Sequence, residues 1–399
     1  MVQSAERLAR WAAEFTPSSE DLLRAERALR DTVAVALAAR AHPMAALAAP
    51  LPDAARWAAM AHVLDFDDLH LPSTTHISTV CVPAVLAAGG DARAYLAGAG
   101  VMARLGTALG WAHYTSGWHA TCTAGAPAAA VAAGLSLGLD ADGLARAIAL
   151  ALPAAGGVQR AFGTDAKALQ VGFAAEAGVR AARLAAAGAG ADAAALDEWL
   201  PLVGGAADRL DLTGPAVPDG LATKLFPCCY AMQRPIGAAR ALAAALDLQQ
   251  VERIAVHTPR AAVHPLIHRE PATGLQAKFS LEYAVVTALL DGFPGFDAFT
   301  DDAVRRPAVR RLLERVAVFA ADSGGNDLLT GATEVEVTLA GGRTVSRRLA
   351  LPPGAPGLPA TDEEFAAKVA GCGPDVPALL EDLTWASAAT LLADAFPAR

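Results

Sequence analysis

Residues 62–78 read HVLDFDDLHLPSTTHIS and gather Asp65, Asp67 and Asp68 with His62, His70 and His76 in fifteen positions. The whole chain has nine histidines. Carboxylates and imidazoles this close can hold a metal ion, move protons, or cap a polar turn after a helix. His76 and Asp65 suit proton transfer, because burial brings such groups toward neutrality. His62 is expected on a helix face pointing into protein, and Asp67 and Asp68 as caps of the following turn.

Four more stretches carry candidate chemistry. GWHATCTAGA (117–126) sets His119 just before an Ala-rich helix. GTDAKALQVGFAAEAG (163–178) puts Lys167 in the first turn of a helix. A cation there is opposed by the helix dipole, so helix stability does not explain it. TKLFPCCYAMQRP (223–235) holds Lys224 before an apolar turn, and TGLQAKFSLEYAVVTALLDG (273–292) holds Lys278 and Tyr283. Lys167, Lys224, Lys278 and Lys368 are the only lysines in a chain otherwise supplied with arginine. Lysine is a compact charge whose proton can be moved, and arginine keeps its own. Lys167 and Lys224 are therefore candidates to neutralise a carboxylate or a developing enolate. Tyr283 can donate a hydrogen bond or a proton.

Other chemistries find less support. DFDDLHLPSTTH lacks the sixth-position glycine and closing glutamate of a calcium loop. HExxH, GxSxG, a P-loop and a dinucleotide fingerprint are absent. The five cysteines form no CxxC pair, and Cys228-Cys229 has no neighbouring histidine to make a thiolate. Reduced thiols fit a cytoplasmic protein. Net charge is −9 with no dense basic run, which argues against nucleic acid or an anionic membrane. The N-terminus carries charge throughout, unlike a signal peptide. Residues 105–139 lack Asp, Glu, Lys and Arg. Their Gly, Pro, Thr, Ser and His fit a buried helix pair better than a membrane span.

The elements that must position these residues are mostly helices. Residues 19–40, 53–64, 79–88, 91–112, 123–137, 141–152 and 167–187 are Ala/Leu-rich segments divided by Gly, Asp or Pro. Alanine favours helix and lets helices approach closely. The pattern changes after about residue 220. VERIAVHTP (251–259), RVAVFA (315–320) and EVEVTLAGGRTVSRRLAL (334–351) read as strands, the last a hairpin turning at Gly341-Gly342. Helices at 231–246 and 276–291 sit among them, and helices return at 361–372 and 386–397. The expected fold is mainly α. A helical domain (1–222) is completed by C-terminal helices (351–399), around an inserted smaller α+β lid domain (223–350).

Taken together, these stretches resemble the MmgE/PrpD family, which includes 2-methylcitrate dehydratase, cis-aconitate decarboxylase and iminodisuccinate epimerase. HVLDFDDLHLPSTTH is similar to its H-x-x-D-F-D-D-T-H…H signature, and GWHATCTAGA to G-[FW]-H-x-T-x-x-x-G. DAKALQVGFAAEAG, TKLFPCCY and TGLQAKFSLEYAVVTALLDG match three later segments in the same order. Leu69 stands where many members have Thr, and Ile77 where they have Pro. The resemblance implies the two-domain architecture just described, a homodimer and no cofactor or metal. It implies a site of Asp65, His76, His119, Lys167, Lys224 and Tyr283, with His70, Thr121, Gln170 and Lys278 as candidate substrate contacts.

The activity implied is a lyase or isomerase that removes a proton beside a carboxylate or carbonyl of a small carboxylate-bearing substrate. Dehydration comes first, with epimerisation or decarboxylation as alternatives and His119 as the main acid/base. Two other readings compete: a metal-dependent hydrolase on the Asp/His cluster, and a helical binding protein without turnover.

Overall fold

The computed structural model describes residues 2–322 and 331–398. The chain divides into two compact units. The first contains residues 1–160, 165–221 and 366–399, so both chain ends belong to it. The second contains 161–164 and 222–365.

The first unit is helical. Its helices are α1 (Ser4–Glu14), α2 (Ser19–Ala38), α3 (Met44–Ala48), α4 (Asp53–His62), α5 (Ser78–Ala88), α6 (Ala92–Thr115), α7 (Ala120–Ser136), α8 (Ala141–Ala151), α9 (Asp165–Ala186) and α10 (Ala195–Leu202). Ser18 caps α2 through a hydrogen bond to Asp21, and Asp91 and Asp140 cap α6 and α8 in the same way. Each cap satisfies a helix N–H that would otherwise lack a partner.

Helix α7 is the centre of this unit. Every residue from Ala120 to Gly134 is buried, and α9 and α6 pack against it most extensively. Small side chains permit that approach. A Cβ at Gly178 of α9 would come within 2.4 Å of the Ala129 Cβ on α7. A Cβ at Gly98 of α6 would come within 2.6 Å of Ala132. The alanine-rich sequence thus buys close helix packing rather than long side-chain interdigitation.

The second unit holds a four-stranded sheet of order β2-β1-β3-β4. Its strands are β1 (Val251–Pro259), β2 (Val316–Ala321), β3 (Thr333–Leu339) and β4 (Thr344–Leu349). β1 runs parallel to β2 and antiparallel to β3, and β3 pairs antiparallel with β4. The β3–β4 turn uses Gly341 and Gly342, both at positive φ, where a side chain would be strained. Val335, Val337 and Leu339 are buried on one face of β3, as period-two burial requires. Helix α11 (Gln233–Ala243) packs against β3 and β4, and against α12 (Leu281–Asp291).

The chain returns to helix in α13 (Asp362–Gly371) and α14 (Trp385–Ala395). α14 packs on α2 and α5, with Trp385 against Tyr95. Arg40 of the first unit pairs with Asp375, and Arg30 donates to the Leu380 carbonyl. Among the described residues no helix is long and apolar enough to cross a membrane.

Candidate active site

The 62–78 segment starts at the end of α4 and finishes at the start of α5. Asp65 takes a left-handed conformation, φ 54°, while its N–H donates to the His62 carbonyl. A non-glycine residue there costs about 1–3 kcal/mol, tolerated where surrounding contacts hold it. His70 and Thr75 then exchange backbone hydrogen bonds as an isolated bridge, which closes a small loop. This turn brings His76 back beside His62, with ring centroids 4.7 Å apart. The Thr121 hydroxyl accepts the His76 backbone N–H at 3.1 Å.

Asp67 lies between two imidazoles. Its Oδ2 is 2.8 Å from His62 Nδ1 and 3.1 Å from His76 Nδ1. A carboxylate facing Nδ1 keeps the proton on that nitrogen and leaves Nε2 with a lone pair. Burial works to raise the Asp67 carboxyl, but the two imidazoles outweigh it and hold it well below the usual carboxylate range. Burial pushes His62 down to about 4, against the pull of Asp67. His62 Nε2 has no hydrogen-bond partner among the described residues. His62 thus belongs to the cluster and does not simply face protein. Asp67 orients imidazoles and is not a turn cap. Asp68 does cap: it accepts from both the backbone N–H and the hydroxyl of Ser78, the first residue of α5. Burial is the main cause that raises Asp68 to about 7, opposed by those Ser78 bonds.

Lys167, from the first turn of α9, donates to Asp65 Oδ1 at 2.9 Å, and both are buried. His119, the residue before α7, has its ring 6.0 Å from that of His62. Burial, with the His62 and Lys167 charges nearby, holds His119 well below its ordinary pKa. Gln170, one turn after Lys167, reaches His119 Nδ1 at 2.8 Å. Side-chain exposure is zero for His62 and Asp67 and 11% for His76. His76 is therefore the better placed of the two imidazoles on Asp67 to meet a small molecule.

The remaining candidates have other surroundings. Both ring nitrogens of His70 are engaged, one with the Ser73 hydroxyl and one with the Pro218 carbonyl, each at 2.7 Å. That places His70 as a brace of the loop. Lys224, Lys278 and Tyr283 belong to the second unit and are buried there. The Lys224 segment is shaped by Gln233, whose amide accepts the Leu225 and Phe226 N–H groups and donates to the Phe226 carbonyl. Lys278 donates to the Pro227 carbonyl at 2.6 Å, and the Tyr283 phenol donates to the Ala298 carbonyl.

His62, Asp65, Asp67 and His76 also offer ligand atoms within 4.8 Å of one another, the spacing of a metal site. Their existing partners fit a cation poorly. The Lys167 ammonium already neutralises Asp65, and a bound divalent ion would sit beside it.

The comparisons agree with this arrangement of motifs. The family model of the MmgE/PrpD N-terminal domain matches residues 48–200, and that of the MmgE/PrpD C-terminal domain matches residues 226–382. The chain belongs to the MmgE/PrpD family. The N-terminal match includes the whole cluster just described, and the C-terminal match includes Lys278 and Tyr283 but begins two residues after Lys224. No curated protein sequence matches the chain.

Sequence reasoning left His62 and Asp67 out of the candidate site, though the structure places them within it. The signal was present: His62 lies five residues before Asp67 across a helix end, where a turn can fold one onto the other. An i to i+5 spacing across a break has no fixed geometry, so only the folded turn reveals it.

Proposed function

We propose that this MmgE/PrpD family member is a cofactor-independent lyase of the dehydratase type, acting on a small substrate with a carboxylate beside the reacting carbon. One observation carries the reading. Asp67 Oδ2 lies within 2.8 and 3.1 Å of two imidazole Nδ1 atoms, next to a buried Lys167–Asp65 pair. A carboxylate behind an imidazole makes the far nitrogen a base and stabilises the imidazolium that forms. No nucleophile is needed in this scheme.

In the proposed reaction, His76 Nε2 removes a proton from the carbon next to the substrate's carboxylate or carbonyl. The electron pair moves onto oxygen as an enolate, and the Lys167 ammonium stabilises that charge. The pair then returns to form a carbon–carbon double bond as the carbon–oxygen bond breaks. The leaving hydroxyl takes up the proton that His76 removed, so water is released and the base is restored. Sequence reasoning put His119 first as acid/base; the Asp67 contact and its partial exposure favour His76. The reading keeps Lys224 and Tyr283 of the second unit as catalytic groups, Lys278 as a substrate contact, the second unit as a lid, and a homodimer in the cytoplasm.

The test is incubation of purified protein with a panel of hydroxylated di- and tricarboxylates in deuterated water, followed by NMR. Dehydration yields vinylic protons with loss of the carbinol signal. Deuterium wash-in without net conversion identifies an epimerase on the same residues, and carbon dioxide release identifies a decarboxylase. A panel in which no carbon-bound proton exchanges, with known members turning over beside it, overturns the proposal.

A further inference from the structure

We propose that Gln170 is a positioning residue that locks His119 as the Nε2–H tautomer, which makes His119 a hydrogen-bond donor to the substrate and not a base. The argument starts from the backbone, whose donor and acceptor roles cannot be exchanged. The Val158 N–H donates to Gln170 Oε1 at 2.9 Å, and the Val158 carbonyl accepts from Gln170 Nε2 at 3.3 Å. Those two contacts fix which end of the Gln170 amide is oxygen and which is nitrogen. The NH₂ end is then the atom 2.8 Å from His119 Nδ1. An NH₂ group has only protons to offer, so Nδ1 must accept. A neutral imidazole that accepts at Nδ1 carries its proton on Nε2.

A second neighbour, a thiol able to donate or accept, is compatible with that tautomer. Cys122 Sγ lies 3.4 Å from the same Nδ1. Burial raises its thiol well above the ordinary range, so it too holds a proton. The surrounding backbone is built for this contact. The His119 N–H donates to the Gly157 carbonyl at 3.0 Å. Gly157 has φ 111°, and a Cβ there would come within 2.6 Å of the Cys122 Cβ. Only glycine lets the 157–158 turn approach α7 and α9 closely enough for Val158 to hold the glutamine.

The consequence is a division of labour among the imidazoles. On one side a carboxylate, Asp67, keeps protons on Nδ1 and leaves Nε2 basic. On the other an amide, Gln170, keeps Nδ1 bare and puts the proton on Nε2. A neutral imidazole does not readily surrender its last proton, since that would leave an imidazolate. It acts as a fixed dipole that polarises a carbonyl or enolate oxygen. This role in the reaction rests on the proposed function; the tautomer itself does not.

The experiment uses full-length protein labelled with ¹⁵N-histidine and long-range ¹H–¹⁵N correlation spectra. His119 is assigned by the signals lost in His119→Gln. Between pH 6 and 8 the expected pattern is a protonated Nε2 and a bare Nδ1, without titration. In Gln170→Glu the new carboxylate accepts, so the proton moves to Nδ1 and a titration appears in the neutral range. Gln170→Met, which neither donates nor accepts, should populate both tautomers. Wild-type protein with the proton on Nδ1 overturns the proposal, as does a Gln170→Glu spectrum identical to wild type.

Activity separates the two layers. With a turned-over substrate, Gln170→Glu should lower kcat at least tenfold and add a limb to the pH–rate profile at the new His119 pKa. A tautomer switch with an unchanged rate refutes the donor role. If the spectra are as expected but no substrate exchanges a carbon-bound proton, the proposed function fails and the tautomer assignment stands.

Discussion

Two buried lysine–aspartate pairs lie on either side of one short turn in the first unit, and their surroundings differ. Lys167 meets Asp65 at 2.9 Å, and Lys368 meets Asp31 at 2.6 Å. The Lys368 pair is closed. Its ammonium also donates to the Phe66 carbonyl at 2.8 Å and sits 4.3 Å from the centre of the Phe66 ring. Its other contacts, a backbone carbonyl and an aromatic face, do not titrate. The Lys167 pair belongs to a set of imidazoles and carboxylates whose protons can move, and its aspartate sits in a strained conformation. The lesson is that buried charge alone does not mark a reactive site. The difference between the two pairs is the neighbouring imidazoles, which only the Lys167 pair has. The two pairs meet at residue 66, since Lys368 fixes the carbonyl between Asp65 and Asp67.

Several measurements would break or sharpen this contrast. The largest effect is expected at the reactive side. His76→Ala should lower kcat by roughly 10²–10⁴, the usual worth of a general base, with secondary structure by circular dichroism unchanged. A wild-type rate in the folded variant would remove His76 from the chemistry.

Next comes the closed side. Lys368→Met leaves Asp31 buried without its ammonium, which should cost about 3 kcal/mol in denaturant unfolding. The cost falls at the low end because burial already raises the Asp31 carboxyl against the pull of Lys368, so it can take up a proton. The Asp31→Leu/Lys368→Met double variant should recover most of that loss, since an apolar pair needs no desolvation. A double variant no more stable than the single would mean the pair does more than brace the turn.

Two further effects are in pH dependence, and they have opposite signs. His62 is lowered to about 4 from its ordinary 6.5 when folded. Its contribution is present above pH 6.5 and is lost as pH falls through 4, because unfolding then binds a proton. Asp68 is raised to about 7 from 3.8. Its contribution is present below pH 3.8 and is lost as pH rises through 7. Unfolding midpoints between pH 4 and 7 should therefore rise more steeply with pH in Asp68→Asn than in wild type, and less steeply in His62→Gln. Parallel curves for all three proteins would contradict both assignments.

Much of the fold was legible in the sequence. The alternation of VERIAVHTP gives β1 with the same bounds, and the glycine pair predicts the β3–β4 turn. The scarcity of lysine singled out four ammonium groups, and the structure buries all four. Lys368 was the least expected of them to matter. Its partner Asp31 is more than three hundred positions away, and no local pattern announces such a contact. The role of Asp67 was hidden for a related reason. Two adjacent aspartates, Asp67 and Asp68, look alike in sequence, and only the turn sends one to the imidazoles and the other to Ser78. The His119 tautomer depends on a backbone group in a distant turn, so it required coordinates.

The most direct test compares turnover of Lys167→Met and Lys368→Met on one substrate, each below its own unfolding temperature. Lys167→Met should lose about a hundredfold or more in kcat, as removal of a charge-stabilising donor does, while folded Lys368→Met stays within about tenfold of wild type by the same reasoning. Equal losses in the two variants, or full turnover without the Lys167 ammonium, would contradict the separation of a reactive pair from a bracing one.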